Sequence, residues 1–156
     1  MDLPPDFKEL LAEFARSGVE AVLVGGYAVA FHGRPRATKD IDLVLEGSPA
    51  NLERASEALA RFGAPSVVVE AVRTLAPPDI VYMGQPPLRV DLLRTIDGVD
   101  PTGLAARAIA AEIDGVPLRV IDLADLIANK RAAGRPQDLI DAAFLDRVRA
   151  SRAKSK

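Results

Sequence analysis

The chain has 156 residues, 49% of them apolar, enough for one domain with one sizeable core. A formal charge of −2 and a pI near 5.5 argue against a protein that coats nucleic acid indiscriminately. Cysteine is absent, which excludes disulfides and thiolate metal sites and fits a reducing cytoplasm; the polar, acidic start lacks a signal-peptide pattern, and no apolar run reaches the ~20 residues that cross a bilayer, so no membrane association is expected.

In chain order, Asp6 to Ser17 reads as an amphipathic helix with Phe7, Leu10, Leu11 and Phe14 on one stripe, stopped by Gly18. Ala21 to Val24 is a short apolar strand ending in Gly25-Gly26, and Tyr27 to His32 is a short helix closed by Gly33. Asp40 to Leu45 alternates strictly, as a strand does, and Pro49 to Phe62 is a helix ended by Gly63. Further strands are expected at Ser66 to Val72, Asp79 to Met83 and Leu88 to Leu93. Asp114-Gly115 is a hairpin signal between the alternating runs Ile109 to Ile113 and Pro117 to Ile121. Asp122 then caps a helix to about Ala133, with Asp125 placed as in a capping box, and Gly134 breaks it. Pro136 opens a last helix to about Val148. The reading is one domain over residues 1–150 and a basic, irregular tail over 151–156.

The chemistry concentrates in KDIDLVL. Asp40 and Asp42 lie two apart on a strand, so they share a face, with Cα atoms ~7 Å apart, while Ile41, Leu43 and Leu45 face a core. Two like charges on one face repel, and a hard divalent cation such as Mg2+, which prefers carboxylate and phosphate oxygens, relieves that repulsion. Taken alone, Asp-x-Asp fits a solvated strand face better. Three features shift the balance. Gly25-Gly26 lets backbone N–H groups approach a phosphate at a strand-to-helix turn. Asp91, in LRVDLL, puts an acid inside an apolar strand, where it needs either a cation or a salt bridge to a neighbouring arginine; the sequence leaves both open. The stretch HGRPRATKD crowds Arg34, Arg36, Thr38 and Lys39 before the acid strand; Arg36 and Thr38 are the candidates for phosphate, while Arg34 and Lys39 read as solvated. His32 reads as a helix-end or packing histidine outside the site.

As a set, VLVGGYAVAFHGRPRATKDIDLVL with the later RVDLL resembles the DNA polymerase beta-like nucleotidyltransferase superfamily, and RATKDIDLV is closest to its AbiEii-type, minimal branch. Thirteen residues separate Gly26 from Asp40, at the long end of that signature, and Gly26 stands where many relatives have serine. The resemblance implies an α+β nucleotidyltransferase fold, a mixed sheet flanked by helices with a C-terminal helical pair. It implies a Mg2+-dependent enzyme (Mn2+ being the alternative ion) with Asp40, Asp42 and Asp91 as catalytic metal ligands. Gly25, Gly26, Arg36 and Thr38 would bind the nucleotide. DLIANKRAAGRPQDLIDAAFL is similar to the branch's lysine-bearing helix and paired acids, which gives Lys130 a triphosphate contact and Asp138 a place near the site, with Asp141 a weaker candidate. For Lys130 a solvated helix position, and for Asp138 pairing with its own helix N-terminus, are the competing readings.

The implied partners are a nucleoside triphosphate, an acceptor that is a tRNA, a protein or a small molecule such as an antibiotic, and a cognate antitoxin or toxin protein. A non-catalytic member that only binds nucleotide or a partner is the alternative from another class. The basic residues Arg147, Arg149, Arg152, Lys154 and Lys156 could touch a nucleic-acid backbone, although a fraying, solvated tail accounts for them better in a chain of net acidic charge.

Overall fold

The computed structural model describes residues 1–35, 37–85 and 88–155, and for Gln85 only the backbone. Arg36 therefore lies outside the described residues, as does Lys156. Within them the chain runs α1 (Pro5–Arg16), β1 (Ala21–Val24), α2 (Gly25–Phe31), β2 (Asp40–Leu45), α3 (Pro49–Phe62), α4 (Ser66–Arg73), β3 (Val81–Gln85) and β4 (Leu88–Leu93). It continues through α5 (Leu104–Arg107), β5 (Ile109–Ile113), β6 (Val116–Val120), α6 (Leu123–Ala133) and α7 (Pro136–Lys154).

The strands form a mixed six-stranded sheet in the order β3-β4-β2-β1-β6-β5. β2 is antiparallel to β1 and parallel to β4, so the centre of the sheet sets Val24, Asp42 and Asp91 side by side in one row. Ile41, Leu43 and Leu45 are almost fully buried on the opposite face. That alternation is what fixes the register, because a slip of one residue would put Asp40 and Asp42 into the core. α2 packs on β1 and β2, α1 on α3 and β6, α4 on α3 and β3, and α6 on α7. The architecture is α+β with a mixed sheet and a C-terminal helical pair, as the resemblance implies.

Several elements differ from the sequence expectation. Ser66 to Val72 is helix, not strand: Val68, Val69 and Val72 are buried while Val67 is 74% exposed, a helical rather than a two-residue period. The β-branched run favours strand locally, and packing against α3 overrides it. The second helix begins at Gly25 rather than Tyr27, β3 is Val81–Gln85 rather than Asp79 to Met83, and β6 begins at Val116. α5 has no counterpart in the pattern reading. Asp122 caps α6 through the Ala124 N–H at 3.0 Å, but Asp125 accepts from Arg107 Nε at 2.8 Å in place of a capping-box role. α7 continues to Lys154, so Ser151 to Lys154 are helical where a tail was expected. Among the described residues no helix is long and apolar enough to cross a membrane.

Candidate functional site: a carboxylate row beside a glycine turn

Each carboxylate is placed by strand alternation. Asp40 and Asp42 project from the same face of β2, and Asp91 projects beside Asp42, its register partner on β4. Asp40, at the first position of β2, is the most open of the three, with its side chain 42% exposed; Asp91 is buried. Burial, a hydrogen bond shared with Asp91 and the charges of Asp91 and Asp40 push the Asp42 carboxyl up to about 7, and the Lys130 ammonium opposes this only in part. Asp42 is thus the acid in the row with the least compensating positive charge.

Asp91 has a partner. Arg89 Nε and Nη2 donate to its two oxygens at 2.8 and 3.1 Å, and the same Nη2 lies 3.4 Å from Asp40. The hydrogen bonds to Asp91 raise the Arg89 pKa further. Of the two readings left open for Asp91, the salt bridge to a neighbouring arginine is the one observed, and the same acid faces Asp42 across the β2–β4 pair. Arg89 was not singled out from the sequence; its position two residues before Asp91, on the same strand face, was the available signal.

Gly25 closes the other side of Asp42. Its φ of +69° is a conformation that L side chains rarely adopt, and a Cβ there would meet Asp42 Oδ2 at 2.2 Å. Only glycine lets the β1–α2 turn pass this close to the carboxylate. Gly26 is buried in the first turn of α2, and no side chain caps that turn, so its N–H groups are not used by a capping side chain. Thr38 Oγ1 donates to the Asp40 carbonyl at 3.3 Å, steadying the start of β2.

The helical pair supplies buried charge. Lys130 on α6 is buried, not solvated, with Nζ 3.2 Å from Asp138 Oδ1 and 3.4 Å from Asp141 Oδ2. Gly134, in the left-handed region, lets the chain reverse so that α7 returns these acids to α6. Asp138 also accepts from its own helix start, from Arg135 N at 3.3 Å and Arg135 Nε at 2.7 Å. Burial works to raise its pKa, but the hydrogen bonds from Arg135 and Lys130 outweigh it and hold the group below its ordinary value. Asp141, fully buried, accepts from Gln137 and is ion-paired with Arg34, which was read as a solvated loop residue. Arg34 thereby ties the α2–β2 loop to α7. His32 is buried at the end of α2 and its Nε2 lies 2.8 Å from the Ile121 carbonyl, outside the carboxylate row.

A cavity of about 720 Å³ lies farther along the strands, beyond Val44, and contains none of the three acids. Among the described residues no group of three or more histidine, cysteine, aspartate or glutamate side chains is already gathered closely enough to hold a metal. The donor chemistry of the row nevertheless fits a hard divalent cation. Its donors are carboxylate oxygens only, and Asp42 sits between acids with too little positive charge to be fully ionised at neutral pH.

The comparisons with known proteins bear on the fold and the family. The chain covers 98% of the lincosamide antibiotic adenylyltransferase LnuA in its lincomycin-bound structure, over 94% of its own length, at 14% identity and a TM-score of 0.61. It covers 93% of ANT(2")-Ia in complex with adenylyl-2"-tobramycin, over 95% of its own length, at 18% identity and a TM-score of 0.58. It covers 86% of a candidate nucleotidyltransferase from Thermotoga maritima, over 96% of its own length, at 14% identity and a TM-score of 0.55. These likenesses establish the nucleotidyltransferase fold. No curated protein matches the sequence. The family described as "Nucleotidyl transferase AbiEii toxin, Type IV TA system" matches residues 9–154, nearly the whole chain. A carboxylate row beside a glycine turn, on this fold and over this span, makes the chain a member of the AbiEii nucleotidyltransferase family.

Proposed function

We propose that the protein transfers a nucleoside monophosphate from a nucleoside triphosphate to an acceptor hydroxyl, with Mg2+ held by Asp40, Asp42 and Asp91. The observation that carries this reading is the register pairing of Asp42 with Asp91 beside Gly25, which leaves Asp42 in need of a cation. A divalent cation held there, Mg2+ or Mn2+, would supply charge neutralisation of the triphosphate and Lewis-acid polarisation of its phosphate.

The chain's own groups divide the remaining work. Gly25 and Gly26 offer backbone N–H groups to the phosphates on the β1 side of Asp42. Arg36 and Thr38, which precede the acid segment in sequence, contribute to nucleotide binding. Lys130 offsets negative charge near Asp42, and Asp138 and Asp141 hold Lys130 in place. The acceptor oxygen bonds to the α-phosphorus, the bond to the bridging oxygen breaks, and pyrophosphate leaves. Asp91, on the far side of Asp42 from the glycine turn, takes the hydroxyl proton. For this Arg89 must release at least one Asp91 oxygen, so it acts as the counter-ion of the resting site.

Family membership supports a toxin-like role within a toxin–antitoxin pair, and we place that role in the cytoplasm, directed at tRNA or protein and restrained by a cognate partner protein. A second reading, transfer to a small molecule, is supported by LnuA. This chain spans nearly all of that protein, which was solved with lincomycin bound, so a protein of this size has room for an antibiotic. The test is incubation with each α-labelled triphosphate, Mg2+ or EDTA, and separate RNA, protein and metabolite fractions. Label is expected in the RNA or protein fraction, only with the metal present, and not with Asp42→Asn. Label confined to lincomycin or tobramycin would establish the second reading, and transfer undiminished in Asp42→Asn would overturn both.

A further inference from the structure

The row that carries the acids extends one strand farther. Tyr82 on β3 is the register partner of Asp91, so Tyr82, Asp91, Asp42 and Val24 lie side by side across four strands, with Gly25 next in the chain. Adjacent strands are ~4.8 Å apart, which puts the Tyr82 and Asp42 backbones ~10 Å from one another. Tyr82 is 51% exposed, although it is a large aromatic residue on the face that carries the carboxylates. Arg89 lies over its ring, 4.7 Å from the centroid, while the same guanidinium bonds Asp91. Gly84, the register partner of Arg89, adds no side chain to this end of the face. The site thus has a glycine turn on one flank of Asp42 and a braced, solvent-facing aromatic ring on the other.

We propose that Tyr82, braced by Arg89, is the surface on which a nucleobase of the acceptor stacks, so that the acceptor hydroxyl is delivered beside Asp91. This inference rests on the nucleotidyl-transfer reading above. In a displacement at phosphorus the entering oxygen and the leaving group lie on opposite sides. With the leaving pyrophosphate on the Gly25 side, the acceptor enters from the side of Asp91 and Tyr82. An exposed tyrosine offers a flat π surface that every base can stack on, and the guanidinium held against it by Asp91 fixes the ring in place. Arg89 serves as the positioning residue, since it touches both the ring and the proton-accepting carboxylate.

The chain has two tyrosines and no tryptophan, and Tyr27 is buried, so quenching of the native emission reports on Tyr82. The probes are single-stranded oligo(A) and oligo(U) RNA, with tobramycin and lincomycin as small-molecule comparators. Saturable quenching by the oligonucleotides is expected for the wild-type chain. Their affinity, by fluorescence anisotropy of labelled RNA, is expected to fall about tenfold in Tyr82→Ala and to stay within about twofold in Tyr82→Phe. Binding of Mg2+ with triphosphate, by thermal shift, is expected to be equal in all three proteins. Unchanged RNA affinity in Tyr82→Ala overturns the proposal, as does an equal loss in Tyr82→Phe, which would implicate the hydroxyl and not the ring. Quenching by tobramycin or lincomycin alone overturns the nucleobase assignment. If the wild-type chain binds no triphosphate while RNA binding still depends on Tyr82, the transfer reading fails and the stacking surface stands.

Discussion

Asp42 on β2 and Asp91 on β4 are direct register partners on adjacent parallel strands, and they share a hydrogen bond. Two carboxylates in that position cannot both ionise freely without a cation, so the pair is stabilised by a shared proton at low pH and strained by its loss at high pH.

Asp42→Asn is therefore expected to stabilise the metal-free protein. The folded value of about 7 lies above the ordinary 3.8, so the folded state holds an extra proton between those values. The associated stability is present at low pH and disappears as pH rises through 7. At pH 8 in EDTA the variant should gain on the order of 2 kcal/mol in urea unfolding. Adding Mg2+ should raise the stability of the wild type and not of the variant. A variant that is less stable than wild type under these conditions would contradict the account of Asp42.

Gly25→Ala should damage both fold and site. The substitution forces a side chain into a left-handed conformation and sets its Cβ 2.2 Å from Asp42 Oδ2. A destabilisation of about 2 kcal/mol or more is expected in denaturant titration, with loss of triphosphate binding in the fraction that folds. Gly18→Ala, at φ +68° with open space around it, supplies the control for backbone strain alone.

Asp141→Ala removes the buried acid shared by Lys130, Gln137 and Arg34. Leaving Lys130 with one acid fewer in a buried setting should cost about 3 kcal/mol, read as a shift in the urea midpoint. Arg34→Ala, which leaves Lys130 between its two acids, should cost clearly less. Equal losses would mean that Arg34, not Lys130, dominates the network.

His32 should make the fold acid-sensitive. Burial lowers its pKa below the ordinary 6.5, only partly offset by the hydrogen bond to the Ile121 carbonyl. The unfolded chain then takes up the proton first, so this contribution is intact above about 6.5 and is lost as pH falls below it. Asp42 acts in the opposite direction over the same range, so the comparison belongs in the Asp42→Asn background. There, His32→Gln should flatten the stability profile between pH 7 and 5.

The sequence was most legible where periodicity and chemistry coincided. Asp40 to Leu45 and Leu88 to Leu93 emerge with the expected bounds, because alternation both buries one face and aligns the acids. Gly25 was legible as a turn, but its approach to Asp42 depends on β1 pairing with β2, which no local pattern encodes. The salt bridge from Arg89 to Asp91 was legible as one of two options from their i, i+2 spacing, whereas Arg34 and Tyr82 were not legible as partners, since each acquires its role from a helix or strand that only folding brings alongside. Ser66 to Arg73 misled because β-branched valines carry a strand preference that packing on α3 overrules.

The charged groups near Asp42 come from three stretches: residues 25–42, residues 89–91 and the α6–α7 hairpin with Lys130, Asp138 and Asp141. During synthesis the acids emerge first and their buried lysine and its anchors last. A nascent chain, or one cut before α7, holds the carboxylate row without the groups that fix Lys130. Any transferase activity would therefore switch on only once α7 has been made and has docked on α6.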